Sequence, residues 1–170
     1  MLNRSVFFYI NVMPLIRNVI LFSATIMLVS ACGNKPLFEQ NTEIKTRQWD
    51  LNEPVVFKVN VDDTLSRFNV YINLRNTGQY RYSNLYLFLT TQYPDKRIEK
   101  DTLDITLAED DGRWKGSGLG DLFFNQFLFA SNITFIAKGE YTFTVQQGMR
   151  TNPLPGIADV GLRIEKAEKK

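Results

Sequence analysis

The 170-residue chain contains no histidine. That removes the general base most used near neutral pH, the commonest zinc and copper ligand, and the Ser-His and Cys-His arrangements of nucleophilic catalysis. Any catalysis would have to run on carboxylates or Ser-Lys pairs, and a non-enzyme is expected. Cysteine is almost as scarce, Cys32 being the only one. No internal disulfide can form, so an exported fold has to stand on packing alone. Long apolar runs are missing too. The stretch from Val19 to Val29 falls well short of the roughly 20 residues that a membrane-spanning helix needs, and no other stretch is long and apolar enough to span. Acidic residues are absent from the first 31 positions, where the charges are Arg4 and Arg17.

What stands in that acid-free segment is informative. A basic start, a short apolar core and small residues at Ser30 and Ala31 describe an export signal. Cys32 follows at once, which makes the signal the bacterial lipoprotein kind. The thiol accepts a diacylglyceryl group as a thioether, and small neighbours let the strand enter a narrow protease site. A buried core thiol behind a core helix is the bland alternative, since free cysteine is among the most buried residue types. It fits poorly with the loop-like Gly33-Asn34-Lys35-Pro36 that comes next. The expected organisation is a signal peptide over residues 1–31, a lipidated tether over 32–51 and one domain over 52–170. Met13 is an alternative start that gives a more compact signal. Each buried methylene contributes about 0.8 kcal/mol, so two or three acyl chains such as palmitate on Cys32 would hold the protein to a membrane.

Removing the signal takes away Arg4 and Arg17 and leaves 18 basic against 18 acidic residues. A near-neutral mature chain gives no argument for nucleic acid as a partner. About 140 residues suffice for one domain with a proper core.

Hydrophobic periodicity points to strands. Val55, Phe57, Val59 and Val61 alternate with polar residues, and Phe68, Val70, Ile72 and Leu74 repeat the pattern. Leu85, Leu87 and Leu89 alternate with Tyr86, Phe88 and Thr90 in a strand apolar on both faces, as suits the middle of a sheet. Ile98 to Leu107, then Tyr141, Phe143 and Val145, then Val160, Leu162 and Ile164 complete the set. Leu122 to Phe135 is apolar and aromatic with a mixed period, open between a strand pair and a short helix. Asn152-Pro153-Leu154-Pro155-Gly156 is expected to hold no regular structure, and Gly33 to Leu51 reads as a tether with an edge strand near Phe38 to Thr46. Seven to eight short antiparallel strands predict an all-β sandwich, Ig-like or jelly-roll-like.

The stretch from Glu109 to Asp121 holds four glycines around Arg113 and Trp114. Asp111, Arg113, Trp114 and Asp121 are the candidate partner-binding loop, with a guanidinium beside a large flat ring. The favoured reading is plainer, a bulged hairpin whose Trp114 covers one end of the core. Glu109, Asp110, Asp111 and Asp121 are oxygen ligands of the kind calcium takes, but their spacing fits no EF-hand loop. Acids before glycine read as a solvated turn, and no metal or cofactor is expected. Tyr80, Tyr82, Tyr86 and Tyr93 surround one hairpin. With Trp114 they form either a stacking surface for glycan or packing against a neighbouring sheet, and their exposure decides between the two.

The chain resembles the GldH family of gliding-motility lipoproteins from Bacteroidetes. The resemblance runs through Asn69-Val70-Tyr71-Ile72-Asn73-Leu74-Arg75-Asn76, Tyr82-Ser83-Asn84-Leu85, Lys100-Asp101-Thr102-Leu103 and Asp111-Gly112-Arg113-Trp114-Lys115-Gly116. It continues through Gly120-Asp121, Tyr141-Thr142-Phe143, Gln147 and Met149-Arg150, and closes on Leu154-Pro155-Gly156-Ile157 and Asp159-Val160-Gly161-Leu162-Arg163-Ile164-Glu165. It implies a non-catalytic part of the machinery that moves adhesins along the cell, tied to type IX secretion, with lipid on Cys32. Implied partners are the membrane, through that lipid, and other envelope proteins of gliding motility; no small-molecule substrate is implied. Surface-exposed lipoproteins of these bacteria tend to carry acids directly after the cysteine. Here Gly33-Asn34-Lys35-Pro36 carries none, which favours the periplasmic face of the outer membrane. A glycan-binding envelope lipoprotein is the alternative.

Overall fold

In the computed structural model, which describes residues 35–168, the alternating segments become strands. The signal segment 1–31 and Cys32 lie outside the described residues. In chain order the strands are β1 (Phe38–Glu43), β2 (Gln48–Trp49), β3 (Val55–Val61), β4 (Phe68–Thr77), β5 (Asn84–Gln92) and β6 (Ile98–Thr106). They continue with β7 (Ser117–Leu119), β8 (Leu122–Ile133), β9 (Gly139–Gln147), β10 (Leu154–Pro155) and β11 (Ile157–Lys166). A 3-10 turn spans Lys45–Arg47, and no helix among the described residues is long and apolar enough to cross a membrane.

Every pairing is antiparallel, in a five-stranded sheet ordered β1-β11-β4-β8-β7 and a four-stranded sheet ordered β3-β9-β5-β6. The two pack face to face as a sandwich. One layer contributes Phe57, Val59, Leu87, Leu89 and Val145 to the core, the other Val70, Ile72, Leu74, Val160, Leu162 and Ile164, all almost fully buried. Burying a side chain of this kind contributes roughly 1.5–3 kcal/mol, so two layers of them hold the sandwich without a disulfide.

Three expectations need correction. Leu122 to Phe135 is neither a strand pair nor a helix; most of it is the single strand β8. Its mixed period comes from two bulges against β4, where the register shifts between Phe68 and Val70 and again between Val70 and Tyr71. Each bulge moves the following residues to the other face, so no single period runs through the strand. Leu154 and Pro155 do form structure, pairing with Trp49 and Gln48. So short a pair sits comfortably with a proline that has no N–H to donate. β5 lies in the middle of its sheet as its pattern predicts, between β9 and β6, with Tyr86 41% and Phe88 43% exposed on its outer face. Lastly, the edge strand expected near Phe38 to Thr46 is there as β1, but residues 38–49 belong to the fold and not to a tether. β1 is the edge of the five-stranded sheet, and Trp49 is 1% exposed, its Nε1 donating to the Glu53 carbonyl at 3.0 Å.

The register sorts the connections into two ends. Val61 pairs with Gly139 and Phe68 with Ile133. Loops 62–67 and 134–138 therefore leave the same end, together with the entry into β1 and the exit from β11. Loops 78–83 and 148–153 and the hairpin 107–116 lie at the other.

Candidate functional site

A strand with one buried face must present its alternate residues outward. In β4 these are Asn69, Tyr71, Asn73 and Arg75; in β11 they are Asp159, Gly161, Arg163 and Glu165. Register aligns them into rows across the five-stranded sheet. One row runs Glu39, Arg163, Tyr71, Leu128; the next Asn41, Gly161, Asn73, Gln126; the third Glu43, Asp159, Arg75, Phe124.

The rows are bonded sideways. Arg163 donates from Nη1 to Glu39 Oε2 at 2.6 Å and from Nε and Nη2 to Glu165 Oε2 at 2.8 and 2.6 Å. In the middle row Gln126 Nε2 donates to Asn73 Oδ1 at 2.9 Å, and Asn73 Nδ2 donates to Asn41 Oδ1 at 3.4 Å. In the third row Arg75 Nε donates to Asp159 Oδ2. The Asp159 side chain is only 5% exposed. Burial pushes its carboxyl up from the ordinary 3.8, against the pull of Arg75 in the other direction. Beyond this row Arg47 reaches Asp121 at 3.2 Å.

The partly exposed pairs of Arg163 with Glu39 and Glu165, and of Arg47 with Asp121, contribute at most about 1 kcal/mol each. Their effect is to fix side-chain positions. Glu39, Asp159 and Glu165 are each engaged by an arginine, so these rows present hydrogen-bonding groups held in set positions. Beside it β8 exposes Phe124 and Leu128, by 39% and 54%. Shallow clefts flank the rows: one of about 680 Å³ lined by Arg67, Asn69, Tyr71, Asn132 and Glu165, and one of about 220 Å³ lined by Asn41, Glu43, Arg47 and Asp159.

The loop singled out from the sequence is divided. Residues 107–116 form a small hairpin, with Lys115 N donating to Leu107 O, Glu109 N to Arg113 O, and Ala108 bridging Trp114. Asp111 and Arg113 sit at its exposed tip, 3.7 Å apart. Trp114 turns inward and is half-buried, 5.6 Å from the Phe123 ring and 6.3 Å from that of Tyr80. Asp121 lies with Arg47, apart from the other three. Among the described residues no group of three or more histidine, cysteine or acidic side chains is placed to hold a metal ion.

The tyrosines do not gather on one open face either. Tyr80 is 3% exposed, its hydroxyl donating to the Asn84 carbonyl at 2.8 Å. Burial pushes that hydroxyl well above its usual range. Tyr82 is half-buried against it, 5.7 Å between ring centres. Tyr93 meets Tyr141 edge to face at the opposite end, and Tyr86 lies on the outside of the other sheet. Tyr80, Tyr82 and Tyr93 pack against other rings, Tyr86 stands exposed apart from them, and the four form no common stacking platform.

Sequence reasoning missed the outer face because no contiguous motif spells it. The available signal was the run of polar residues at alternate positions of 69–75 and 159–165, two of the stretches that carry the family resemblance. Against known proteins, residues 36–164 match a family described as GldH lipoprotein. A gliding motility lipoprotein GldH homolog of Christiangramia forsetii is 34% identical over 158 residues, covering 89% of this chain and 96% of that protein. Gliding motility lipoprotein GldH of Flavobacterium johnsoniae is 30% identical over 156 residues, covering 88% and 96%.

Proposed function

We infer the role of this chain from its kinship: it belongs to the GldH lipoprotein family. It is a membrane-anchored lipoprotein that serves gliding motility and catalyses nothing itself. The observation that carries the reading is the reach of the match. It covers both sheets, from the entry into β1 to Ile164 in β11, and the two relatives bear names that state the role. The missing histidine and the arginine-engaged carboxylates of the outer face support a non-enzymatic part.

In this reading residues 1–31 are removed and Cys32 carries the lipid, which holds the domain at the periplasmic face of the outer membrane. The tether is short, because β1 begins at Phe38. The outer face of the five-stranded sheet, with Phe124 and Leu128 beside its bonded rows, meets another envelope protein of the gliding machinery. Adhesin movement and type IX secretion are the processes it serves.

Deleting the gene from its own bacterium tests this. Colony spreading should be lost while growth continues, and the wild-type gene should restore it. Cys32→Ser should leave the protein unacylated and fail to restore spreading. Leu128→Glu should leave an acylated, folded protein that restores spreading poorly. A deletion strain that spreads normally would remove the proposal.

A further inference from the structure

Leu65 projects into solvent at 93% exposure. Its loop is pinned from below. Asp63 Oδ1 accepts from Leu65 N at 3.0 Å and Ser66 N at 2.9 Å, and Asp63 Oδ2 accepts from Ser66 Oγ at 2.6 Å and Lys166 Nζ at 2.8 Å. Ala167 N also donates to the Arg67 carbonyl, tying the end of the chain to the same loop. The neighbouring loop 134–138 buries Phe135 against Phe68 and presents Ile136 to solvent at 65% exposure. Leu37, at the entry into β1, is 37% exposed. Three apolar side chains thus project from one end of the sandwich.

That end is also where the chain arrives from Cys32. Phe38 lies six positions after the cysteine, at most about 21 Å of extended chain. With the acyl groups in a bilayer, so short a leash keeps this end at the surface whatever else the domain does. We propose that the loop 62–67 and loop 134–138 end of the domain rests on the phospholipid surface, with Leu65 and Ile136 entering its interface. The proposal rests on the anchoring of Cys32 argued above.

Two features make lipid the occupant. Burying a leucine or isoleucine from water is favourable by roughly 1.5–3 kcal/mol, and a tether converts such weak contacts into lasting ones by raising effective concentration. The rim is mixed in charge, with Lys35, Arg67, Lys138 and Lys166 against Asp62, Asp63 and Glu168. Lysine and arginine stems can lie along the interface with their charges in the headgroups, while the acids rule out strong long-range attraction. Contact therefore depends on the anchor and the apolar tips together. A domain held this way stands on its loops, leaving the outer face of the five-stranded sheet upright and open to a partner.

The test uses the full acylated protein in vesicles of phosphatidylethanolamine and phosphatidylglycerol. The thioether consumes the Cys32 thiol, so Leu65→Cys, Ile136→Cys and Leu119→Cys each offer one labelling site. Leu119 is the matched control, being also 93% exposed and away from this end. An environment-sensitive fluorophore at 65 and 136 should shift to the blue on reconstitution and be quenched by nitroxide-bearing lipid, while the label at 119 stays aqueous. If the labels at 65 and 136 in vesicle-bound, acylated protein behave like that at 119, the proposal falls and the anchor stands. If mass spectrometry finds no acyl group on the protein, the anchoring reading falls and this proposal with it.

Discussion

Asn73 donates through Nδ2 to Oδ1 of Asn41 at 3.4 Å, across a strand that lies between them. The position crossed is Gly161, paired with both. A Cβ there would collide with Asn41 Oδ1 and stand 2.9 Å from the Gln40 carbonyl oxygen. Its backbone has no need of glycine's conformational freedom; the requirement is space above the sheet.

Gly161→Ala should therefore destabilise the domain by about 1–2 kcal/mol, through crowding and loss of the amide bridge. The diagnostic is coupling. In Asn41→Ala/Gly161→Ala the main obstacle is already gone, so the double variant should lose clearly less than the sum of the two single losses. Thermal or urea unfolding of the four proteins measures this. Strict additivity would show that the crowding is relieved some other way.

Arg75 and Asp159 make a second prediction with a pH signature. Arg75→Ala leaves a nearly buried carboxylate without its partner, and should cost about 1–3 kcal/mol at neutral pH. Burial already raises the Asp159 carboxyl above the ordinary 3.8, and without Arg75 the opposing pull is gone. A folded state with a raised carboxyl binds its proton more readily than the unfolded chain does. The deficit of Arg75→Ala should thus shrink as pH falls through the raised value toward 3.8. Arg75→Ala/Asp159→Asn should recover much of the loss at pH 7 and show a flatter profile.

How much of this was legible in the sequence depends on how each strand is covered. β3 and β9 bury one face and wet the other, so Val55 to Val61 and Tyr141 to Val145 announce themselves by alternation. β8 does not, because two bulges change its phase within twelve residues. β1 was legible only in part, as an edge strand near Phe38 to Thr46 within a tether. As an edge strand of an outward polar surface it carries Glu39, Gln40 and Asn41 after Phe38, a composition that reads as tether. The outer face of the five-stranded sheet showed only as alternating polar residues in 69–75 and 159–165; its pairings did not, since Asn41 and Asn73 are 32 positions apart and Arg75 and Asp159 are 84. Trp114 was the reverse case. Its plainer assignment, as cover for the core, was available from the hairpin chemistry around it.

Asp63 supplies a prediction for acid. Hydrogen bonds from Lys166, Ser66 and Leu65 hold its carboxyl far below the ordinary 3.8. A lowered carboxyl contributes stability that is fully present above the unfolded value and is lost as pH falls through the folded one. Wild type should therefore be more stable than Asp63→Asn from neutrality down to about pH 4, with the gap closing below that. Melting curves across this range decide it. A constant gap down to the lowest pH would mean that the charge of Asp63 contributes nothing.

Trp114 separates packing from recognition. Half-buried between Tyr80 and Phe123, it should cost about 2 kcal/mol when replaced by alanine, less than a fully buried tryptophan because part of the ring already meets water. Asp111→Ala and Arg113→Ala, at the exposed tip, should leave the melting temperature nearly unchanged. Affinity electrophoresis on polysaccharide gels then asks the functional question of the same three proteins. With the ring turned inward, wild type and all three variants should migrate alike on every glycan tried. Retardation of wild type that Trp114→Ala abolishes, without an equal fall in melting temperature, would revive the glycan-binding alternative and reassign this ring from cover to contact.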